Sequence, residues 1–181
     1  MRVTTGLARG RKLVAPQGLD TRPSSDMTKQ AVFNIVQNYV EGSTFLDLFA
    51  GSGQMGIEAL SRGAKHAVFV DASPKAIQAV RENLAHCGFA DKAKVAQMDA
   101  QSFLKSTTTR FDLVFLDPPY QQQIIDAVLP AVVQQMAPGG IILCETERNE
   151  QLPEQAGDYA LTKTYFYGKA KITAYRRQEE A

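Results

Sequence analysis

The spacing of apolar residues along the chain changes several times. Residues 1 to 14 alternate weakly around Gly6 and Gly10, as a small hairpin does, and Pro16 and Gly18 end that pattern. In RPSSDMTKQAVFNIVQNYVEGS the spacing becomes helical. Val32, Ile35, Val36 and Tyr39 fall on one face until Gly42, and Ser24, Ser25 or Asp26 is placed to cap the first turn. From Thr44 onwards, short apolar runs alternate with helical stripes. TFLDLF, HAVFVD, KAKVAQ, FDLVFLD and GIILCET read as buried strands. Between them, a helix follows Gly53 to about Arg62. Ser73-Pro74 opens another, whose stripe of Ile77, Val80 and Leu84 stops at Gly88, and IIDAVLPAVVQQM is a helix kinked or interrupted at Pro130. This alternation predicts an α/β fold with a parallel sheet covered on both faces. YALTKTYFY and AKITAYRR follow without a helix, and predict an antiparallel pair closing one edge.

A length of 181 residues with 44% apolar residues fits one packed domain with small appendages, and no repeat or linker divides it. The natural division is by element type: an N-terminal hairpin and helix over 1–42, and an alternating core over 43–181. The net charge of +1 decides nothing about a polyanionic partner, but its distribution is uneven. Arg2, Arg9, Arg11 and Lys12 precede the first acid, Asp20, and Lys163, Lys169, Lys171, Arg176 and Arg177 lie in a stretch free of Asp and Glu. Such runs are either a solvated face or a polyanion contact. No apolar run reaches the roughly 20 residues that span a bilayer, and none near Met1 has signal-peptide length. A cytoplasmic protein with no membrane partner is expected. Cys87 and Cys144 lack metal-ligand spacing and a disulfide framework, so both read as buried thiols and no metal is expected.

The loop DLFAGSGQMGIEAL lies between the first strand and its helix. Gly51, Gly53 and Gly56 satisfy GxGxxG, and Asp71 ends the next strand about twenty residues on, where a ribose-binding acid belongs. Taken alone, this is a dinucleotide fingerprint. Asp47 argues otherwise, since a carboxylate inside the strand would repel a pyrophosphate and attract a cofactor carrying an amino-acid cation. S-adenosylmethionine meets these requirements: it is positive at its methionyl end and sulfonium, has no phosphate, and still presents a ribose to Asp71. Asp99, just before the next helix, either meets the adenine amine or caps that helix.

Asp117-Pro118-Pro119-Tyr120 ends the fourth strand beside the same crevice. The exocyclic amine of a base is a poor nucleophile because its lone pair is delocalised into the ring. Acceptors at Asp117 and the Pro118 carbonyl would hold its hydrogens, favour a pyramidal nitrogen and aim the lone pair. The prolines stiffen the loop and remove competing N–H donors, and Tyr120 is suited to stack on an unstacked base. Alternatively, the prolines end a strand and Asp117 caps a helix. The tetrapeptide does not choose among adenine, cytosine and guanine.

Together these residues resemble the class I S-adenosylmethionine-dependent methyltransferases, and more closely the RsmD-type 16S rRNA guanine-N2 methyltransferases. MRVTTGLARGRKL and RPSSDMTKQAVFNIV are similar to that family's N-terminal extension, FLDLFAGSGQMGIEALSRGA to its cofactor motif, FDLVFLDPPY to its amine-methylating motif and YGKAKITAYRR to its final strand pair. The resemblance implies a Rossmann-like, seven-stranded, mostly parallel sheet whose last strand is antiparallel. It implies a cofactor site at Asp47, Gly51, Gly53, Asp71 and Asp99, with Phe49, Ala50, Ser52, Ala72 and Ala100 beside them. The reacting site would be Asp117, Pro118, Pro119 and Tyr120. Arg22-Pro23 would lie over the pocket, and Arg9, Arg11, Lys12 and Arg22 would face RNA. The implied substrate is 16S rRNA within a small-subunit particle or assembly intermediate, met by a monomer. A DNA or RNA adenine-N6 or cytosine-N4 methyltransferase and a non-enzymatic assembly factor are the competing expectations.

Overall fold

The computed structural model describes residues 1–18, 26–119 and 123–179. Within them the elements run α1 (Asp26–Ile35), β1 (Thr44–Asp47), α2 (Gln54–Ser61), β2 (His66–Asp71), α3 (Pro74–Cys87), β3 (Ala93–Gln97), α4 (Ala100–Ser106), β4 (Phe111–Leu116), α5 (Ile124–Val133), β5 (Met136–Glu147), β6 (Gln155–Ala156), β7 (Tyr159–Tyr167) and β8 (Ala170–Arg177). They build one sheet of order β3-β2-β1-β4-β5-β8-β7-β6. The first five strands in that order are parallel, as expected for strands linked by helices. β8 enters antiparallel between β5 and β7, so it is an interior strand. The sheet has eight strands rather than the seven expected, because the two-residue β6 pairs with β7 at the edge. A strand that short leaves no periodicity to detect.

β1, β2, β4 and β5 bury both faces, and their alternate residues enter two separate cores, while β3 at the edge is only partly covered. Phe45, Phe69, Leu113, Phe115, Ile141 and Leu143 face α2, α3, residues of α1 and the N-terminal segment. Leu46, Val68, Val114, Leu116, Ile142 and Cys144 face α4 and α5. Val3, Ala8, Leu13, Val32, Phe33, Val36 and Val40 join the first cluster, so the described residues of 1–42 pack into the core of the remainder.

Residues 1 to 13 form a minimal hairpin, with an Arg2–Lys12 bridge and bonds from Val3 N to the Arg11 carbonyl (2.9 Å) and from Leu13 N to the Met1 carbonyl (2.9 Å). Buried Glu58 of α2 anchors it. Its carboxylate accepts from Thr4 N at 2.9 Å, Thr5 N at 3.1 Å and Arg62 Nε at 2.8 Å, and lies 3.4 Å from Lys29 Nζ. Lys29 donates in turn to the Arg2 carbonyl at 2.6 Å. An ion group this buried costs several kcal/mol to desolvate, so its satisfied partners fix the position of the arm.

Two expectations fail here. α1 stops at Ile35, and the chain continues in turns such as Tyr39 N to Val36 O (2.8 Å) instead of helix to Gly42. The turns bring Val36 and Val40 into the core, whereas Tyr39 points outward beneath the Arg176 guanidinium. Cys144 is buried, its thiol pushed up by desolvation, but Cys87 is only partly covered. Ser24 and Ser25, the expected caps of α1, lie outside the described residues.

Gly56 shows why the loop needs its third glycine. A Cβ there would stand 2.4 Å from Cε1 of Phe69, so α2 rests directly on the β2 ring. Gly56→Ala should therefore destabilise the protein by about 1–3 kcal/mol through overpacking. A thermal melt checks this, and an unchanged midpoint would mean that α2 lifts freely from β2.

Candidate active site

At the carboxyl ends of β1, β2, β4 and β5 the structure opens a cavity of about 890 Å³. Side chains alternate along a strand, so Asp47 (β1) and Asp71 (β2) share a face with Phe45 and Phe69. Asp117 continues the parity of Leu113 and Phe115 just past β4.

The glycine loop is shaped by this frame. Gly51 (φ 57°) and Gly53 (φ 82°) both adopt left-handed conformations that other residues avoid. Asp71 closes the loop, its Oδ2 accepting from Gly51 N at 2.9 Å and its Oδ1 from Ser73 N at 2.9 Å. Ser73 in turn caps α3 by accepting from Ala76 N at 3.2 Å. Asn83 of α3 braces the loop from behind, donating to the Ser52 carbonyl at 2.9 Å and the Val14 carbonyl at 2.9 Å. The same helix residue therefore positions both the loop and the N-terminal arm. Met1, Ala15 and Pro16 of that arm line the cavity.

Asp47 is a strongly perturbed acid. Burial raises its carboxyl from 3.8 to about 7, against the Gly56 N–H donated to Oδ2 at 3.1 Å, and the nearby Asp71 charge adds to the rise. A cation in the cavity would keep Asp47 ionised, whereas a pyrophosphate would not. Asp99 behaves differently. It is exposed and caps α4, accepting from Ser102 N at 2.9 Å and Ser102 Oγ at 2.7 Å, and these bonds lower its pKa. The capping alternative is thus realised while Asp99 still lines the cavity.

Of the expected cofactor residues, Asp47, Phe49, Ala50, Gly51, Ser52, Asp71, Ala72, Asp99 and Ala100 line this one cavity, as do Asp117, Pro118 and Pro119. Gly53 is buried behind the wall, with a position for Cβ only 3.2 Å from Val80 and 3.3 Å from Phe69. Arg9, Arg11 and Lys12 are exposed on the hairpin and do not line the cavity. Tyr120 and Arg22 lie outside the described residues. Sequence reasoning missed Thr28, Asn83, Met98, Glu145, Tyr167 and Lys169. Glu145 left a usable signal: it has the parity of Ile141 and Leu143 and lies near the carboxyl end of β5, the strand next to that of Asp117. For Thr28 and Asn83, single polar residues on helices, no pattern marks a role.

The cavity fits S-adenosylmethionine on its own chemistry. It offers carboxylates at the sites of a cation and a ribose, a loop whose backbone approaches a ligand closely, and apolar walls at Phe49, Met98 and Ala100. Among the described residues, no cluster of three or more His, Cys, Asp or Glu could hold a metal ion, and no helix is long and apolar enough to cross a membrane.

A family model described as conserved hypothetical protein 95 matches residues 1–176. The Bacillus subtilis protein YlbH is 41% identical over 183 residues, covering 98% of this chain and 100% of that one. The Escherichia coli protein named ribosomal RNA small subunit methyltransferase D is 30% identical over 182 residues, covering 99% of this chain and 91% of that one. The solved structure of the Escherichia coli protein yhhF superposes with a TM-score of 0.88 at 31% identity, over 99% of both chains. An RNA methyltransferase from Salinibacter ruber, solved with S-adenosyl-L-homocysteine, shares the fold at a TM-score of 0.70 and 17% identity, over 88% of this chain and 96% of that one. The architecture is that of S-adenosylmethionine-dependent methyltransferases, and the chain belongs to the conserved hypothetical protein 95 family of RsmD-type methyltransferases.

Proposed function

We propose that the protein methylates the exocyclic N2 amine of one guanine in small-subunit 16S rRNA, in the cytoplasm and within a subunit particle or assembly intermediate. The observation that carries this reading is that Asp117-Pro118-Pro119 opens onto the same cavity as the glycine loop. The small-subunit rRNA methyltransferase D relatives of Escherichia coli and Haemophilus influenzae support the choice of RNA.

When bound, S-adenosylmethionine supplies a methyl group on a positively charged sulfur. Asp47 holds the cationic end, Asp71 accepts from ribose hydroxyls through the lone pairs that its backbone bonds leave over, and the walls by Phe49 and Ala100 flank the adenine. The Asp117 carboxylate and the Pro118 carbonyl accept the two hydrogens of the guanine amine, so the nitrogen becomes pyramidal and its lone pair faces the cavity. As positive charge develops on that nitrogen, Asp117 stabilises it and takes the surplus proton. Neither proline offers an N–H to compete for these acceptors, and Tyr120 stacks on the base turned out of its helix. The rate gain comes from positioning and electrostatics.

Arg9, Arg11, Lys12 and Arg22 contact phosphates in this reading. Replacing Arg9, Arg11 and Lys12 together by alanine should lower the slope of log affinity against log salt by about 2–3, because each lost phosphate contact releases fewer counterions. An unchanged slope would remove the hairpin from RNA binding. The function itself is tested with labelled S-adenosylmethionine and a panel of undermethylated small subunits, free rRNA and duplex DNA. Label in rRNA supports the reading, and label only in DNA refutes it.

A further inference from the structure

We propose that Glu145 selects the base, accepting the ring N1–H of guanine beside the amine that Asp117 orients. The inference rests on the guanine-N2 reading above and names the residue that would enforce it.

β4 and β5 are parallel neighbours whose last register pair is Leu116 with Cys144. Asp117 and Glu145 each follow that pair by one residue, on strands about 4.8 Å apart. Cys144 belongs to the α4–α5 core, while Leu143 and Phe115 belong to the other, so Glu145 projects on the face of Asp117. Both line the cavity, and Glu145 is 4% exposed. The order β2-β1-β4-β5 sets Asp71, Asp47, Asp117 and Glu145 in sequence across the site. Glu145 therefore lies beyond Asp117 from the glycine loop. Tyr167 at the end of β7 and Lys169 in the following turn line the cavity as well.

The chemistry of the Watson–Crick edge then discriminates. An ionised carboxylate only accepts. In guanine the ring nitrogen next to the amine, N1, carries a hydrogen. In adenine and cytosine the corresponding nitrogen is a bare acceptor, which would face the carboxylate lone pair to lone pair. A site built around a hydrogen bond to its substrate strongly rejects an analogue lacking the donor.

The test uses the full-length protein with RNA carrying either guanine or 2-aminopurine at the target position. 2-Aminopurine keeps the 2-amino group but has no hydrogen on N1. Glu145→Gln, whose amide can turn its NH2 towards a bare N1, should lose about 10- to 100-fold in kcat/KM on guanine. The preference for guanine over 2-aminopurine should shrink with it, while calorimetry shows unchanged S-adenosylmethionine affinity. Guanine activity kept at the wild-type level, or lost with the preference unchanged, would overturn the assignment. Loss of cofactor binding in the variant would move Glu145 to the cofactor site and likewise overturn it. A wild-type product other than N2-methylguanosine would instead refute the function on which the inference stands, whatever the variant does.

Discussion

Replacing Asp117 by alanine is expected to lower kcat by about 10²–10³-fold, the usual loss when one preorganised polar group is removed from a reacting centre. Cofactor affinity should stay close to that of the wild type. The asymmetry follows from the architecture. The glycine loop is held by Asp71, Asn83 and the Gly56–Asp47 bond, none of which involves Asp117. Asp117 stands instead beyond β4, where it faces the cavity beside the rigid Pro118-Pro119 pair. Asp117→Asn should retain part of the activity, because its amide oxygen still accepts one amine hydrogen but the charge that stabilises the developing cation is gone. Single-turnover rates with titrated cofactor separate the two quantities. Parallel loss of rate and cofactor affinity in Asp117→Ala would show that the residue belongs to the cofactor site.

Asp47→Asn should change stability and affinity in opposite directions. The Asp47 carboxyl is raised from 3.8 to about 7 mainly by burial. The folded protein therefore holds this proton more tightly than the unfolded chain does. The resulting stability is fully present below the unfolded pKa of 3.8 and is lost as pH rises through about 7, where a charge must be buried. Asparagine keeps an acceptor for Gly56 N–H and never ionises. At pH 8 the variant should be about 2–4 kcal/mol more stable than the wild type in the absence of cofactor, and the gap should close towards pH 4. Cofactor binding moves the other way: wild-type affinity should rise with pH through about 7 as Asp47 ionises, and the variant should bind about 10- to 100-fold more weakly at pH 8 with a flat profile. Melting curves and calorimetry at acid and alkaline pH check both halves. A variant no more stable than the wild type at pH 8 would mean that Asp47 is not a strained buried charge.

The parts of the site legible in the sequence were those written in strand parity and loop chemistry. Asp47, Asp71 and Asp117 each stand at the end of a short apolar run, so alignment of the strands alone brings them together. Glycines 51 and 53 were legible because the turn needs left-handed backbone. Glu145 obeyed the same parity but lies within β5, with no glycine or proline motif after it to draw attention to it. Asn83 was hidden because its partners are the distant Val14 and Ser52 backbone, and the role of the Lys29–Glu58–Arg62 group because Glu58 also accepts from Thr4 N, 54 residues away. Pairing was hidden for a related reason. The antiparallel pair of β7 and β8 on one side of the sheet was legible, but nothing local says that β8 and not β7 is the strand that joins β5. Tyr39 was misplaced because helical spacing was extended through a segment that turns after Ile35.

The proposed function requires that the amine receiving the methyl group be guanine N2 in small-subunit rRNA. Its most direct test takes 16S rRNA from cells lacking this protein, as free RNA and in subunits. The RNA is incubated with purified protein and methyl-labelled S-adenosylmethionine and digested to nucleosides for mass spectrometry. The expected result is label in N2-methylguanosine at a single position, unmodified in the deleted strain and modified in its parent. Label in N6-methyladenosine or N4-methylcytidine, or rRNA from the two strains with identical methylation, would refute guanine N2 as the acceptor.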